Sequence, residues 1–319
     1  MLNITTAKLI LILKKIKKVI ALGVIIFLTY YLFKSIGEIQ SLNIAFNYSW
    51  LLLSFAVLLF VIINQSLIWF IISRLYNCKI EIRENFIIWN YSNILKYVPG
   101  RVLAYAAFYH FYGEKNVSKT NLSLALYIDL IGNVINPFFI FLISFLFIDL
   151  EILNSYKVPS LVLIALLLVL IHPRIFIPVM NKALKYLKKD LISLEVKFRH
   201  LLAVLLLNVL NWFIYGIAFY MLANSFLTVE LNYFFLITCA LSLSAVAGFL
   251  AFFTPSGLGV REGILILIFN LIFPAPVSAL LAILSRLWQV LAEFTLFAMA
   301  VLVDVLGKYG ILKLFFSKK

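Results

Sequence analysis

Long apolar runs constrain this chain more than any other feature of its sequence. Of its 319 residues, 65% are hydrophobic and only 13% are charged, whereas a soluble domain carries about 25% charged residues. Several runs reach the ~20 apolar residues that a helix needs to cross the hydrocarbon core. Only helices and closed barrels satisfy every backbone group in lipid. We therefore predict an all-α, polytopic transmembrane helical bundle.

Basic residues lie in short clusters between the apolar runs, so the net charge of +14 indicates cytoplasmic loops and contact with anionic lipid head groups rather than nucleic acid. This pattern predicts a cell-membrane protein with both termini in the cytoplasm. The predicted spans are 19–36, 50–73, 122–148, 158–171, 201–223 and 277–303. The span 158–171 is short enough to be tilted or partly buried instead. The basic loop after it has apolar residues at helical spacing (184–198), typical of an interfacial helix, with a solvated linker as the alternative.

Two further apolar segments, residues 84–112 and 231–276, are each interrupted in the middle by Pro and Gly. Neither residue continues a helix cheaply, and the arms of 84–112 are too short to span. We predict two re-entrant, broken-helix hairpins. For the second segment, two crossings at 234–253 and 260–273 fit the charge pattern equally well.

With two hairpins, the chain divides into a single membrane domain of two matching halves, residues 1–156 and 157–319. Each half then has two spans, a broken hairpin and one more span. The first half starts inside and the second outside, so the halves form an inverted repeat. Transporters use this arrangement to place broken helices near the bilayer midplane.

Each hairpin tip combines Pro and Gly with an Arg at the start of the following helix. A helix N-terminus offers unpaired N–H groups and partial positive charge, and an adjacent Arg completes a phosphate or carboxylate site. The alternative is that the breaks only bend the helices and the arginines only reach to the interface. The predicted substrate-binding residues are Pro99, Gly100, Arg101, Gly257, Gly259 and Arg261.

Other polar residues are expected to support this site or couple it to ions. Arg286, Gln289 and Glu293 share one helix face, so Glu262–Arg286 and Arg261–Glu293 are natural ion pairs, or an ion-pair network that only fixes the tip. The cations Lys96, Arg101, Arg261 and Arg286 outnumber the carboxylates Asp129, Glu262 and Glu293, which favours an anionic guest.

Polar stripes run along three predicted spans. The stripe of Asp129, Asn133 and Asn136 is the longest, and Asn208 with Asn211 and Asn64 with Gln65 form shorter ones. Such residues are either interhelical hydrogen-bonding groups or the lining of a hydrated groove for a polar head group.

The sequence contains no Walker loop, dinucleotide fingerprint, nucleophile elbow or metal-ligand spacing. Cys78 and Cys239 have no spacing that suits a disulfide framework or a zinc site. We therefore expect no cofactor and no metal, and transport rather than catalysis.

The tip sequences resemble those of a known family. Residues 253–263 (FTPSGLGVREG) with 96–101 (KYVPGR) look like the flippase-like family, the transmembrane region of lysylphosphatidylglycerol synthases. Ser256 replaces a Gly of that family's motif, a departure that matters only if the position needs positive φ. Ser285-Arg286 resembles the family's late arginine. In the full synthases a separate soluble domain transfers the amino acid, and we expect no counterpart of it here. The resemblance therefore implies lipid translocation, or assistance to it, rather than aminoacyl transfer.

We therefore expect a lipid translocase that moves an anionic or phosphate-bearing lipid, such as a modified phosphatidylglycerol or a polyprenyl-phosphate-linked sugar, between leaflets. The alternative is a non-transporting membrane partner or scaffold of a glycosyltransferase or lipid-modifying enzyme. An integral-membrane transferase is a third hypothesis. The lipid, the direction, the energy source and the oligomeric state do not follow from the sequence.

Overall fold

A computed structural model describes residues 45–97, 102–148, 151–171, 173–186, 198–251 and 254–311. The described part of the chain is helical, without strands. Its α-helices are α1 (Tyr48–Leu75), α2 (Ile82–Ile94), α3 (Val102–Glu114), α4 (Lys119–Leu146), α5 (Lys157–Ile171), α6 (Pro173–Tyr186), α7 (Phe198–Asn224), α8 (Phe234–Leu250), α9 (Val260–Phe269) and α10 (Ala275–Gly307).

Five helical segments are long and apolar enough to cross a membrane: α1, α4, α7, residues 231–250 and α10. The bounds of α1, α4, α7 and α10 lie close to predicted spans, whereas residues 231–250 correspond to the first of the two alternative crossings in the segment 231–276. The helical membrane bundle is confirmed. Large apolar side chains such as Leu52, Leu161 and Leu291 remain exposed on the bundle surface, as expected for faces that meet lipid. The chain is a multi-pass membrane protein.

Helix ends follow local chemistry. The Asn47 carboxamide accepts the N–H groups of Ser49 and Trp50 at 3.1 and 3.2 Å and so caps α1. Pro276 occupies the first turn of α10, where no N–H partner is needed. Lys308 ends α10 in the left-handed conformation, with φ of 56°.

Both predicted breaks are present as pairs of short helices. α2 and α3 pack against each other and are separated by residues 95–101, and α8 packs against α9 across residues 251–259. The ten residues of α9 extend about 15 Å, half of the ~30 Å hydrocarbon core, whereas residues 231–250 are long enough to cross it. The hairpin and the two crossings therefore both stay predictions for this segment. Re-entry of the two pairs from opposite sides, and the inverted repeat, stay predictions.

Several predicted features fall outside the described residues. These are the first span and its basic lead-in, the tip residues Pro99, Gly100 and Arg101, and residues 187–197 of the predicted interfacial helix. The described part of that basic loop contains α6, which ends at Tyr186. The short fourth span is α5, fifteen residues long, and it packs against α4 and α6.

Two large apolar cores hold the described helices together, beside a small third cluster. One joins α1, α7, α8, α9 and α10 around side chains such as Phe219 and Trp288, and the other joins α1, α2, α3 and α4 around Trp69 and Tyr91, with contributions from α7 and α10. α1, α7 and α10 thus contribute to both large cores. Polar residues collect in the space between these helices.

Both described cysteines are free and buried, with Cys78 0% and Cys239 3% exposed. Burial raises the pKa of the Cys78 thiol, in the loop between α1 and α2, to about 11. At pH 8 its reactive thiolate is then about 100-fold scarcer than for an ordinary thiol, whose pKa is near 9.

We expect maleimide to label neither cysteine in the folded protein at pH 8 and both after denaturation in dodecyl sulfate, as measured by mass spectrometry. Rapid labelling of Cys78 without denaturation would contradict this packing.

Candidate functional site

The second break is a tight, left-handed turn. After α8 ends at Leu250, Ser256, Gly257 and Gly259 adopt φ of 50°, 74° and 85°, and α9 then begins at Val260. Gly tolerates positive φ without steric cost. Ser256 also lies there, so the departure from the family motif falls at a position that does need positive φ. A non-Gly residue in this region costs about 1–2 kcal/mol.

Two glycines allow the turn to press against α8. A Cβ added at Gly257 would lie 2.6 Å from the Cα of Gly248, and a Cβ added at Gly248 would lie 2.3 Å from the Cγ of Arg261. The Arg261 side chain therefore crosses α8 directly over Gly248. This close approach fixes where the guanidinium can point.

Glu262 fixes the start of α9. Its Oε2 accepts the N–H of Gly259 at 2.5 Å, and a carboxylate in the first turn also suits the helix dipole. Its Oε1 lies 3.6 Å from Nε of Arg286 on α10. The side chain is buried, and the predicted pair Glu262–Arg286 is present.

Arg286 joins the turn to the first break. It donates to the carbonyl oxygen of Ser256 at 3.3 Å, and its guanidinium carbon lies 5.6 Å from the Tyr97 ring centroid. A cation over an aromatic face is stabilised, the more so when desolvated. Its Nη1 is buried and has no hydrogen-bond partner among the described residues.

Glu293, two turns further along α10, binds two residues of the first break. Its Oε1 accepts Lys96 Nζ at 2.8 Å and Gln289 Nε2 at 2.9 Å, and its Oε2 accepts the Tyr97 hydroxyl at 2.8 Å. The other predicted pair, Arg261–Glu293, is not an ion pair within 4.0 Å in the described residues; Lys96 takes that place.

The two breaks meet. The 3₁₀ turn of residues 95–97 contacts the 3₁₀ turn of residues 255–257, although about 160 residues separate them in sequence. Arg286 and Glu293 brace this junction from one helix. The predicted approach of the two tips is therefore present for Lys96, Tyr97 and Ser256, while Arg101 lies outside the described residues.

A cavity of about 280 Å³ adjoins this junction, between α1, α2, α4, α7, α8 and α10. Its charged lining consists of Lys96, Arg261, Asp129 and Glu293. Polar uncharged residues complete one part of the wall, and apolar residues such as Leu58 and Val204 complete the rest. Its further polar lining is Gln65, Asn93, Asn133, Asn136, Asn208, Asn211, Tyr215, Ser256 and Gln289.

The polar stripes converge on this cavity, and two of them also join helices. Asn64 donates to Asn211 at 3.0 Å, Asn211 to Gln65 at 3.2 Å, and Gln65 to Asn208 at 3.4 Å, which links α1 to α7. On α4, Asn133 donates to the Asp129 carboxylate at 2.9 Å. The stripes on α1 and α7 therefore connect two helices, and residues of all three stripes line the cavity; a hydrated groove for a head group stays a prediction.

Arg261 differs from the other cations of the site. Lys96 and Arg286 each have a carboxylate partner, whereas Arg261 makes no ion pair within 4.0 Å with any described carboxylate. The Tyr215 hydroxyl lies within hydrogen-bonding reach of it. Its side chain is half-buried and lines the cavity. The arrangement presents one cation that an anion can approach.

Sequence reasoning missed the aromatic part of the wall: Trp89, Trp212, Tyr215 and Phe249. A signal existed for two of them, because Trp212 and Tyr215 continue the helical spacing of Asn208 and Asn211. The role of Gly248 had no local signal, since it follows from contact with Arg261. Of the predicted residues, Gly257, Gly259, Glu262 and Arg286 shape the turn, while the charged lining faces the cavity.

A comparison with known families identifies a match over most of the chain. The profile described as the lysylphosphatidylglycerol synthase TM region matches residues 18–296. The chain belongs to this family. The match covers both breaks and the residues of α10 that brace them.

No curated protein and no solved structure matches this member of the lysylphosphatidylglycerol synthase TM region family. The family and the membrane helices identify a lipid-related membrane protein. No three His, Cys, Asp or Glu side chains in the described ranges are grouped so that they could hold a metal ion.

Proposed function

We propose that this protein moves a phosphate-bearing, anionic lipid between the leaflets of the cell membrane, with the head group passing through the cavity beside the two breaks. In this proposal the pairs α2–α3 and α8–α9 are re-entrant hairpins from opposite leaflets, in two inverted halves, and both termini are cytoplasmic. Membership in a lipid-related family supports the choice of a lipid.

The observation that carries the proposal is the position of Arg261. A half-buried cation without a carboxylate partner is costly, and a phosphate that enters the cavity would neutralise it. Hydrogen bonds to charged groups contribute about 1.5–3 kcal/mol each. Lys96 and Arg286 cannot take this role at no cost, because each would first have to leave its own carboxylate.

The remaining wall suits a mobile polar group. Carboxamides on α1, α4 and α7 both donate and accept hydrogen bonds, so they can replace water around a head group at successive positions. The acyl chains would stay on the apolar outer faces of the helices. No nucleotide fingerprint occurs in the sequence, so the transport is proposed to run downhill or with an ion.

Arg261→Gln tests the proposal. We expect it to slow the movement of labelled phosphatidylglycerol between leaflets of proteoliposomes at least about tenfold, the loss of one charge-assisted contact, with no large change in thermal midpoint. Arg74→Gln is the matched control: it removes the same charge from an exposed side chain that lies outside the cavity. Dithionite quenching of a fluorescent lipid gives the rate.

Equal rates for wild type and Arg261→Gln would remove the assigned role of Arg261. An absence of lipid movement by the wild type, together with co-purification of a glycosyltransferase, would instead favour the scaffold function. Movement of phosphatidylcholine at the same rate as phosphatidylglycerol would contradict selection of an anionic lipid.

A further inference from the structure

The cavity has an unusual chemical composition for a site that would hold only a phosphate. Seven carboxamide side chains line it, against two carboxylates and two cations. A phosphate accepts hydrogen bonds and needs cations or N–H groups. Carboxamides present donors and acceptors side by side, which matches hydroxyl groups, because a hydroxyl also does both. The carboxamides are Gln65, Asn93, Asn133, Asn136, Asn208, Asn211 and Gln289.

Two of these carboxamides have no other structural task. Asn136 on α4 is 6% exposed and lines the cavity, yet its side chain has no hydrogen-bond partner in the described part of the chain. Asn93 on α2, on a different wall, is half-buried and is likewise unpartnered within the described ranges. The polar atoms of these two side chains are not fully buried, so both carboxamides are available to donate hydrogen bonds to a guest in the cavity and to accept them from it.

Gly132 makes room for the Asn136 carboxamide. A Cβ at Gly132 would lie 3.1 Å from Asn136 Nδ2, closer than a methyl group normally approaches. The unsubstituted position one turn earlier on α4 therefore lets the amide lie along the helix. The Asn136 side chain therefore fits against α4 without making a hydrogen bond to any described residue.

The carboxylates of the cavity do not offer a site for a cationic head group. Glu293 already accepts three hydrogen bonds, from Lys96, Tyr97 and Gln289. Asp129 accepts one from Asn133. Three of the acceptor sites of Glu293 are thus occupied, and an ammonium group at Asp129, such as that of a lysyl ester, would lie in the same cavity as Arg261 and Lys96, whose positive charges oppose it.

Aromatic side chains provide the other surface that a sugar ring needs. Trp89, Trp212, Tyr215 and Phe249 line the same cavity, and the C–H face of a pyranose packs on aromatic rings, whose faces are electron-rich. The volume of about 280 Å³ lies at the lower end of the range for small-molecule sites, roughly 300–1,000 Å³. A single ring fits this size better than an oligosaccharide.

We infer that the ligand of this cavity is a phosphate-linked monosaccharide, carried as the head group of a membrane lipid. Arg261 binds the phosphate, Asn93 and Asn136 bind ring hydroxyls, and the aromatic residues pack on the ring. This inference rests on the proposed function for its lipid source. The sugar phosphate itself is the shared chemistry of a lipid head group and a soluble hexose 1-phosphate.

The test measures binding to the full-length protein in phosphatidylcholine nanodiscs by quenching of its tryptophan fluorescence. The probes are polyprenyl phosphoryl hexose, the polyprenyl phosphate that lacks the sugar, lysylphosphatidylglycerol and soluble hexose 1-phosphate. We expect the glycolipid to bind at least about tenfold more tightly than polyprenyl phosphate. Asn136→Leu, a change of similar volume, should abolish that difference, whereas Arg261→Gln should weaken the binding of both polyprenyl lipids.

Asn232→Leu is the matched control, because it makes the same change at an exposed position outside the cavity. If Asn136→Leu does not fold, Asn93→Leu on α2 gives the same test. Equal affinity for the two polyprenyl lipids, tighter binding of lysylphosphatidylglycerol, or a sugar preference that survives both Asn substitutions would overturn the inference.

The outcomes separate this inference from the proposed function. A sugar preference without lipid movement in proteoliposomes would support the ligand and refute transport. Lipid movement with no sugar preference would support transport and refute the ligand. Binding of hexose 1-phosphate, but not of the glycolipid, would support the sugar phosphate site and overturn its assignment to a lipid.

Discussion

Replacing Glu293 by Leu is expected to lower the thermal midpoint of the purified protein by the order of 10 °C. The change leaves the Lys96 ammonium, whose side chain is only 16% exposed, without its carboxylate, and it removes the acceptor of the Tyr97 hydroxyl. Breaking a buried pair from one side costs about 3–5 kcal/mol. Differential scanning fluorimetry in detergent measures the shift.

The double variant Lys96→Met/Glu293→Leu separates the pair from its surroundings. Because an apolar replacement of a whole buried pair is often nearly neutral, we expect the double variant to be more stable than Glu293→Leu alone. Lys115, which pairs with Glu84 outside the cavity, provides the control: Lys115→Met should not restore any stability to Glu293→Leu. An additive effect of Lys96→Met would show that the two residues are not coupled.

Gly257→Ala is expected to have an effect of similar size at the second break. Its φ of 74° already disfavours Ala by about 1–2 kcal/mol. The added methyl group would lie 2.6 to 2.9 Å from the Cα, C and O atoms of Gly248. These are backbone atoms, which cannot rotate away, so the turn must shift, at a further cost of about 1–3 kcal/mol. We expect a lower thermal midpoint and slower lipid movement together.

Gly263→Ala on α9 is the matched control. A Cβ there meets no atom within 4 Å, so in a helix the substitution should be neutral or stabilising by up to about 1 kcal/mol. If Gly257→Ala were as stable and as active as Gly263→Ala, the close approach of the turn to α8 would be wrong.

The membrane helices could be predicted because their signal is local. The run predicted as 50–73 is the helix Tyr48–Leu75, and the run 277–303 lies within Ala275–Gly307. A span requires a fixed length of apolar chain, so composition alone places it within a few residues. The breaks were also predictable, since Pro and Gly disfavour a helix wherever they occur.

The partners across the site could not be predicted in the same way. Lys96 and Glu293 are 197 residues apart, and Arg261 was the partner predicted for Glu293. Charge identifies which residues need partners, whereas only packing decides which partner is within reach. The shared cavity is a similar case: each polar stripe was visible alone, but their convergence with Trp89 and Tyr215 depends on how the helices assemble.

One helix carries both braces of the junction. Arg286 and Glu293 are seven residues apart on α10, about 10 Å along the axis, and α10 is continuous over 33 residues. Both tips therefore contact the same continuous helix, α10, at two positions. They can separate if Arg286 releases Glu262 and the Ser256 carbonyl, if Glu293 releases Lys96 and Tyr97, or if α10 bends. If the proposed transport requires the tips to separate, breaking these contacts would limit its rate. Weakening the contacts of Arg286 or Glu293 should then speed the passage of the lipid.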